Sequence, residues 1–433
     1  MPIWNRTFER MERAEMRRLQ CERLRNTVEL VYGNVPFYRR KFEQMGLTPG
    51  DITDLGDLSR LPLTTKADIR DGYPYGMFAV PMREIVRIHS SSGVTTRPIV
   101  VGYTANDIMH WTEQVARVLS AAGVTEDDVV QIAFNYGLLT GGFGMHYGAE
   151  KLGASVIPVS SGSTERQIQI MEDFQTTALI STPSYALYMI SVMDRLGVSP
   201  ERLCLRVGLF GGEPMSERTR KEIESKLGIV ATDNYGASAV MGPGVAGECE
   251  LRSGLHVNED HFLVEIIDPE TLQVLPEGEQ GELVITTLTK EGLPMLRYRT
   301  RDVTRIISEP CKCGRTTIRI EPVQKRTDDM IIVRGVNIYP SEIERLLYDI
   351  ELVEPKYQIV LDRENGLDHL TLNVELSGFM ASDQMQRLVG LEETIRQRVH
   401  AVIGLTPRVR LVEPKTLHGV GPSDRVVDNR ESA

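Results

Sequence analysis

Three groups of residues in this chain have side-chain types and spacings suited to chemistry. The first is the run Ser90-Ser91-Ser92-Gly93-Val94-Thr95-Thr96-Arg97-Pro98, which packs hydroxyls, a glycine and a cation into one turn between apolar segments. Hydroxyls and backbone N–H groups in such a turn can cradle phosphate oxygens, with Arg97 neutralising their charge. The run lacks the G-x-x-x-x-G-K-[ST] spacing of a Walker loop, and an ordinary polar hairpin uses the same turn residues. The second group is Cys249, His256, Cys311 and Cys313. Three thiols and an imidazole have the composition of a closed structural zinc site. The pair Cys311-Lys312-Cys313 follows Pro310 and precedes Gly314, which suits a metal knuckle. The competing reading is a set of unrelated buried thiols, because free cysteine is among the most buried residue types. The third is His146, a candidate general base inside the Gly-rich aromatic segment Thr140–Glu150. A structural histidine is the alternative there, since an ordinary imidazole pKa does not by itself make a catalyst.

The elements that must hold these groups follow from periodicity. Between about residues 100 and 210, short apolar runs alternate with helical patterns, and Val129–Phe134, Ser155–Val159, Ala178–Ile180 and Val207–Phe210 read as strands. This is βαβ logic and predicts a largely parallel, buried sheet. From Gly254 to Ile307 the strands shorten and turns such as Pro276-Glu277-Gly278 appear, which predicts an antiparallel or barrel-like subdomain. After Arg326 come a turn at Gly335, a helix start at Pro340-Ser341, an alternating strand Leu370–Leu376 and a helical stretch from Gln384 to Val402. The fold class expected is α/β, with a large domain over residues 1–327 and a small α+β domain over 328–433. There is no internal repeat.

Composition narrows the function. With 49 Lys plus Arg against 60 Asp plus Glu, a net charge of -11 opposes nucleic acid binding. The basic run Arg10–Arg25 is interleaved with Glu and carries Met16, Leu19, Leu24, Val28 and Val31 as an apolar stripe, so it predicts a solvated amphipathic helix. No apolar run reaches the roughly 18 residues of a membrane span. No signal peptide is read at the start, and five cysteines argue against a disulfide framework. A cytoplasmic protein is expected, with Cys21 and Cys204 as core residues of a helix and a strand.

Several segments in fixed order resemble the phenylacetate-CoA ligase family of adenylate-forming enzymes. The first loop resembles that family's S-S-G-T-T-G-K-P, and the chain continues Ile99-Val100-Val101-Gly102-Tyr103-Thr104 where the family has V-V-G-Y-T. Thr140–Glu150, Gly211-Gly212-Glu213-Pro214, Asn234–Gly244, Tyr298-Arg299-Thr300-Arg301-Asp302 and Arg326–Asn337 are similar to the same family. The resemblance implies a large N-terminal domain, a mobile C-terminal domain, and two half-reactions through an acyl-AMP to an acyl-CoA. It places Gly212, Glu213 and Pro214 at adenine, Asn234 and Tyr235 stacking nearby, Asp302 on ribose hydroxyls, Arg326 on ribose or phosphate, and Asp328 at the interdomain hinge. Ser91, Ser92, Gly93, Thr95, Arg97, Arg334 and Gly335 join them as cofactor-handling positions. Tyr136, Phe143 and Tyr235 fall where they can border a flat aromatic acid.

The chain also departs from that pattern. Thr96 and Arg97 stand where the family has Gly-Lys in the loop, Ala239 stands where Y-G-x-S-E ends in a Mg²⁺-binding Glu, and Gly421-Pro422 falls on a Gly-Lys pair. A methyl group cannot ligate a hard cation. Read on these positions, the chain is expected to have lost adenylation and to pass an aryl or acyl group, of benzoyl, anthraniloyl or phenylacetyl type, from CoA to a carrier-protein phosphopantetheine. The alternatives are an ATP- and Mg²⁺-dependent aryl-CoA ligase and a non-catalytic thioester-binding relative. The partners expected are an aryl-CoA, an acyl carrier protein and a second copy in a homodimer.

Overall fold

The protein is described by a computed structural model over residues 2–90, 98–160, 162–348, 350–378, 385–417, 420 and 425–430. It divides into two compact units. The first holds the residues up to Thr327 apart from short segments that include Ser184–Ser191, and the second begins at Asp328.

In the first unit, β1 (Arg87–Ser90) and β2 (Val100–Tyr103) form an antiparallel hairpin. Ser91, Ser92, Gly93, Thr95, Thr96 and Arg97 lie outside the described residues. Strands β3 (Val129–Ile132), β4 (Ser155–Ile157), β5 (Ala178–Ser181), β6 (Val207–Gly211) and β7 (Val230–Ala237) lie in the order β4-β3-β5-β6-β7 and are all parallel. Every residue of β5 and β6 is buried, which is why they read as unbroken apolar runs rather than alternating ones. The same sheet continues antiparallel through β8 (Gly242–Glu248), β9 (Leu255–Val257), β14 (Arg319–Ile320) and β13 (Ile306–Ile307), making nine strands in all. A second, four-stranded antiparallel sheet joins β10 (Phe262–Ile267), β11 (Gly281–Thr287), β12 (Tyr298–Thr304) and β15 (Lys325–Arg326). This is the strand-rich region anticipated after Gly254, formed as an open sheet.

The N-terminal basic stretch is a helix, Arg13–Asn34, burying Met16, Gln20, Leu24, Val28 and Val31. It is fastened to residues far along the chain. Arg13 binds Glu259 at 2.5 and 3.0 Å, Gln20 donates to the Glu259 carbonyl at 2.9 Å, and Arg315 donates to the buried Glu9 carboxylate at 2.5 Å. The Thr316 N–H closes the clasp on the Glu9 carbonyl at 2.9 Å.

Two cysteine expectations need correction. Cys204 is exposed and precedes β6 rather than lying in it, and Cys21 is half-buried, its Sγ donating to the Thr53 carbonyl at 3.4 Å. A single apolar-looking residue beside a strand carries no information on which side of the strand's end it falls.

In the second unit, β16 (Ile331–Val333) and β17 (Val336–Ile338) are joined by Arg334-Gly335, with φ of 51° and 74°. Two positive φ values in a two-residue loop make a type I′ turn, which a glycine at the second position eases. Strands β18 (Val353–Glu364), β19 (Leu367–Leu376), β20 (Arg408–Val412) and β21 (Val426–Asp428) form a sheet in the order β20-β19-β18-β21. Helices Pro340–Tyr348 and Met385–Ile403 contribute Ile343, Leu347, Ile395 and Val399 to one core with Ile359, Leu361, Leu372 and Val374 of the sheet.

Candidate active site

In an open parallel sheet, ligands bind beyond the carboxyl ends of the strands. In this protein those ends gather the residues singled out by type. β6 runs into Gly211-Gly212-Glu213-Pro214, and Gly212 adopts φ of 77°. A Cβ at Gly211 would sit 2.6 Å from the Asn234 carbonyl, so only glycine lets the ends of β6 and β7 approach this closely. Asn234 is itself tied back, its amide donating to the Phe210 carbonyl at 2.7 Å. One residue on, the Tyr235 hydroxyl donates to Asp302 Oδ2 at 2.5 Å, and Arg326 pairs with Oδ1 of the same carboxylate across the β12–β15 register. Burial and the neighbouring Asp302 charge push the Tyr235 phenol up, so it remains a hydrogen-bond donor. Gly212, Asn234, Tyr235, Asp302 and Arg326 are thus brought to one place. Arg334 and Gly335 belong to the second unit, where the Arg334 Nε donates to the Asp368 carbonyl at 2.7 Å.

An aromatic wall borders this region. Phe134, just past β3, has its ring 4.0 Å from where a Gly212 Cβ would lie and 3.6 Å from one at Gly141, which opens the helix Gly141–Leu152. On that helix Phe143 meets Tyr136 edge-on at 5.3 Å and Tyr147 in a stack at 6.2 Å. The Arg87 guanidinium lies over both Phe143 and Tyr147, 5.1 and 4.8 Å from their centroids, and donates to the Tyr147 hydroxyl at 2.8 Å. Both ring nitrogens of His146 are engaged, Nε2 with Glu150 at 3.0 Å and Nδ1 with the Tyr136 hydroxyl at 3.2 Å. A carboxylate only accepts, so Nε2 carries the proton and Nδ1 accepts from Tyr136. The lone pair a base would use is therefore spent on orienting Tyr136.

The four sulfur and nitrogen donors meet elsewhere in the same unit. Cys249, His256, Cys311 and Cys313 are all buried, and their donor atoms lie within 4.8 Å of one another. Cys249 and Cys311 sulfurs are 3.8 Å apart, and Cys313 Sγ lies 3.4 Å from His256 Nε2. Zn–S bonds of about 2.3 Å in a tetrahedron require sulfurs about 3.8 Å apart, so the donor set fits that ion. The other ring nitrogen, Nδ1, contacts the Thr317 hydroxyl at 3.1 Å, which fixes the ring's orientation.

A family model described as AMP-binding enzyme matches residues 62–289, and one described as AMP-binding enzyme C-terminal domain matches residues 335–430. The chain is 47% identical over 420 residues to a phenylacetate-coenzyme A ligase of Thermus thermophilus, with 94% of each chain covered. It is 45% identical over 427 residues to the enzyme of that name from Aromatoleum evansii, covering 98% of this chain and 96% of that one. The chain belongs to the phenylacetate-CoA ligase family of AMP-binding enzymes. A 2-hydroxyisobutyryl-CoA ligase in complex with its acyl-AMP and CoA has the same fold, with a TM-score of 0.94, 30% identity, and coverage of 99% of this chain and 93% of that one.

This membership corrects the expectation of a thioester transferase. The relatives that match nearly the whole chain are phenylacetate-coenzyme A ligases. The carrier protein falls away with the transfer reading. The reason is physical: removing one electrostatic donor lowers the rate of a step by a factor, but it does not redirect a site to another reaction. Of the three departures, Arg97 and Pro422 lie outside the described residues, and Ala239 is a buried residue in the turn after β7, 4% exposed. Sequence reasoning also missed Phe134, Arg87 and Tyr147, whose roles depend on ring contacts between strand ends and a helix that no local pattern reveals. Among the described residues no helix is long and apolar enough to cross a membrane.

Proposed function

We propose that this protein joins an aromatic carboxylic acid to coenzyme A. A carboxylate oxygen attacks the α-phosphorus of ATP, releasing pyrophosphate, and the CoA sulfur then attacks the acyl carbon of the mixed anhydride, releasing AMP. The reading rests on one observation: the Asp302 carboxylate is held from both sides by Tyr235 and Arg326 at the strand ends, beside a wall of Phe134, Tyr136, Phe143 and Tyr147. A carboxylate so fixed suits the paired hydroxyls of a ribose, and flat rings suit an aromatic acid. Gly212, Glu213, Pro214 and Asn234 serve the base, the loop from Ser91 to Arg97 serves the phosphates, and His146 positions Tyr136. The methyl side chain of Ala239 offers no oxygen to a Mg²⁺ ion. ATP and CoA as substrates support a cytoplasmic setting.

The test is pyrophosphate and AMP release with ATP, Mg²⁺, CoA and phenylacetate or another aromatic acid. Acid-dependent pyrophosphate release followed by an acyl-CoA product is expected, and its absence across a panel of aromatic acids overturns the reading. The cysteine and histidine cluster serves as a structural zinc site, since four protein donors leave no position open for substrate.

A further inference from the structure

Lys290 is wholly buried, its side chain 0% exposed. Its ammonium lies 3.2 Å from the centroid of the Tyr103 ring, 3.6 Å from Asp107 Oδ2 and 3.8 Å from Met241 Sδ. The Tyr103 ring in turn stacks on Trp111, 5.0 Å between centroids and 17° between planes. The Tyr103 hydroxyl donates to the Met241 carbonyl at 2.7 Å, and Trp111 Nε1 donates to the Pro243 carbonyl at 2.8 Å. Two polar handles on one stack therefore grip both ends of Met241-Gly242-Pro243. That tripeptide pairs with Gly236 and Ala237, and the Met241 N–H bonds the Ala237 carbonyl, so holding it fixes the segment that carries Tyr235. The space is closely shaped: a Cβ on Gly242 would meet Trp111 at 2.6 Å.

Asp107 completes the device. Its carboxylate accepts from the backbone N–H groups of Thr104, Glu291 and Gly292 at 2.9, 2.7 and 2.9 Å, which fastens the turn bearing Lys290 to the start of the helix Ala105–Ala121. A cation taken out of water is costly, and this one is repaid by one carboxylate and one π face rather than by solvent. We infer that Lys290 is a positioning residue for the nucleotide site, acting through Tyr103 on the Met241–Pro243 segment and so on Tyr235 and Asp302. The inference rests on the ligase reading.

The geometry carries a pH signature. Burial pulls Lys290 down to about 8, with Asp107 opposing it. Besides Asp107, the groups that meet its charge are the Tyr103 ring on β2 and His89 on β1. The folded value lies below the ordinary 10.5, so between those pH values the unfolded chain binds more protons and this group's contribution to stability rises with pH. Loss of nucleotide affinity over that range then cannot come from Lys290-driven unfolding.

The experiment uses Lys290→Met and Tyr103→Phe in the full chain, with ATP–pyrophosphate exchange and the fluorescence of Trp111 in a Trp4→Phe background. Wild-type KM for ATP should rise about tenfold from pH 7 to pH 9 with kcat changed little, and Lys290→Met should show the raised KM at both pH values. Tyr103→Phe should raise KM while keeping a Trp111 transition near pH 8, which Lys290→Met abolishes. An ATP KM in Lys290→Met equal to wild type at pH 7, or a lowered melting temperature with unchanged KM, overturns the inference. No exchange by the wild type overturns the ligase reading instead, and there a flat Trp111 titration independently rejects the Lys290 device.

Discussion

At Tyr235 a single hydroxyl links strands 67 residues apart in the chain, and the carboxylate it reaches is already shared with Arg326. A hydrogen bond to a charged group contributes about 1.5–3 kcal/mol. Tyr235→Phe keeps the ring and deletes only the hydrogen bond to Asp302 Oδ2. The expected outcome is a KM for ATP raised by about tenfold or more with the melting temperature within a few degrees of wild type, read by pyrophosphate exchange and calorimetry; an unchanged KM would show that Tyr235 does not orient Asp302. Asp302 was visible in the sequence because it sits in a run matched to a known family. Its double anchorage was not, because Tyr235 and Arg326 come to it from other strands. Arg97, Ala239 and Pro422 illustrate the reverse error, in which a few altered positions outweighed a long kept framework.

Among the elements, the loop from Cys311 to Gly314 turns sharply, as its glycine suggested. Gly314 takes φ of 87°, its N–H bonds the Cys311 carbonyl at 3.3 Å, and the Arg315 N–H points at Cys313 Sγ at 3.5 Å. A backbone donor turned toward a sulfur, as the Arg315 N–H is, suits a metal knuckle. The purified protein should contain about one zinc per chain, and Cys311→Ser should lose it and melt several degrees lower while the KM for ATP stays unchanged. Metal analysis finding no zinc would dismiss the site. The parallel strands β5 and β6 were legible because both their faces are buried and most of their residues are apolar. The antiparallel extension of that sheet was not. Ile306-Ile307 and Arg319-Ile320 are two-residue strands, too short for any period to register, and their pairing with each other and of the second with β9 is decided by tertiary contact. The Lys290 stack was hidden for a related reason: a lysine in a turn reads as solvated until Tyr103, 187 residues earlier, is seen to receive it.

For the whole molecule, the acidic balance of -11 opposes association with nucleic acid. Each of the two units buries its own apolar set, the second from Val333 onward. The N-terminal clasp has a consequence in time. Glu9 finds Arg315 across 306 residues, and Arg13 finds Glu259 across 246. A ribosome adding 5–20 residues per second needs about 15–60 s to cover the longer interval. Throughout that wait the first helix has emerged while the carboxylates and guanidinium that will seat it do not yet exist. Chains stalled before Arg315 leaves the exit tunnel should therefore be cut by protease within residues 6–34, and chains stalled well past it should be protected there; equal protection at both lengths would show that the helix finds an earlier shelter.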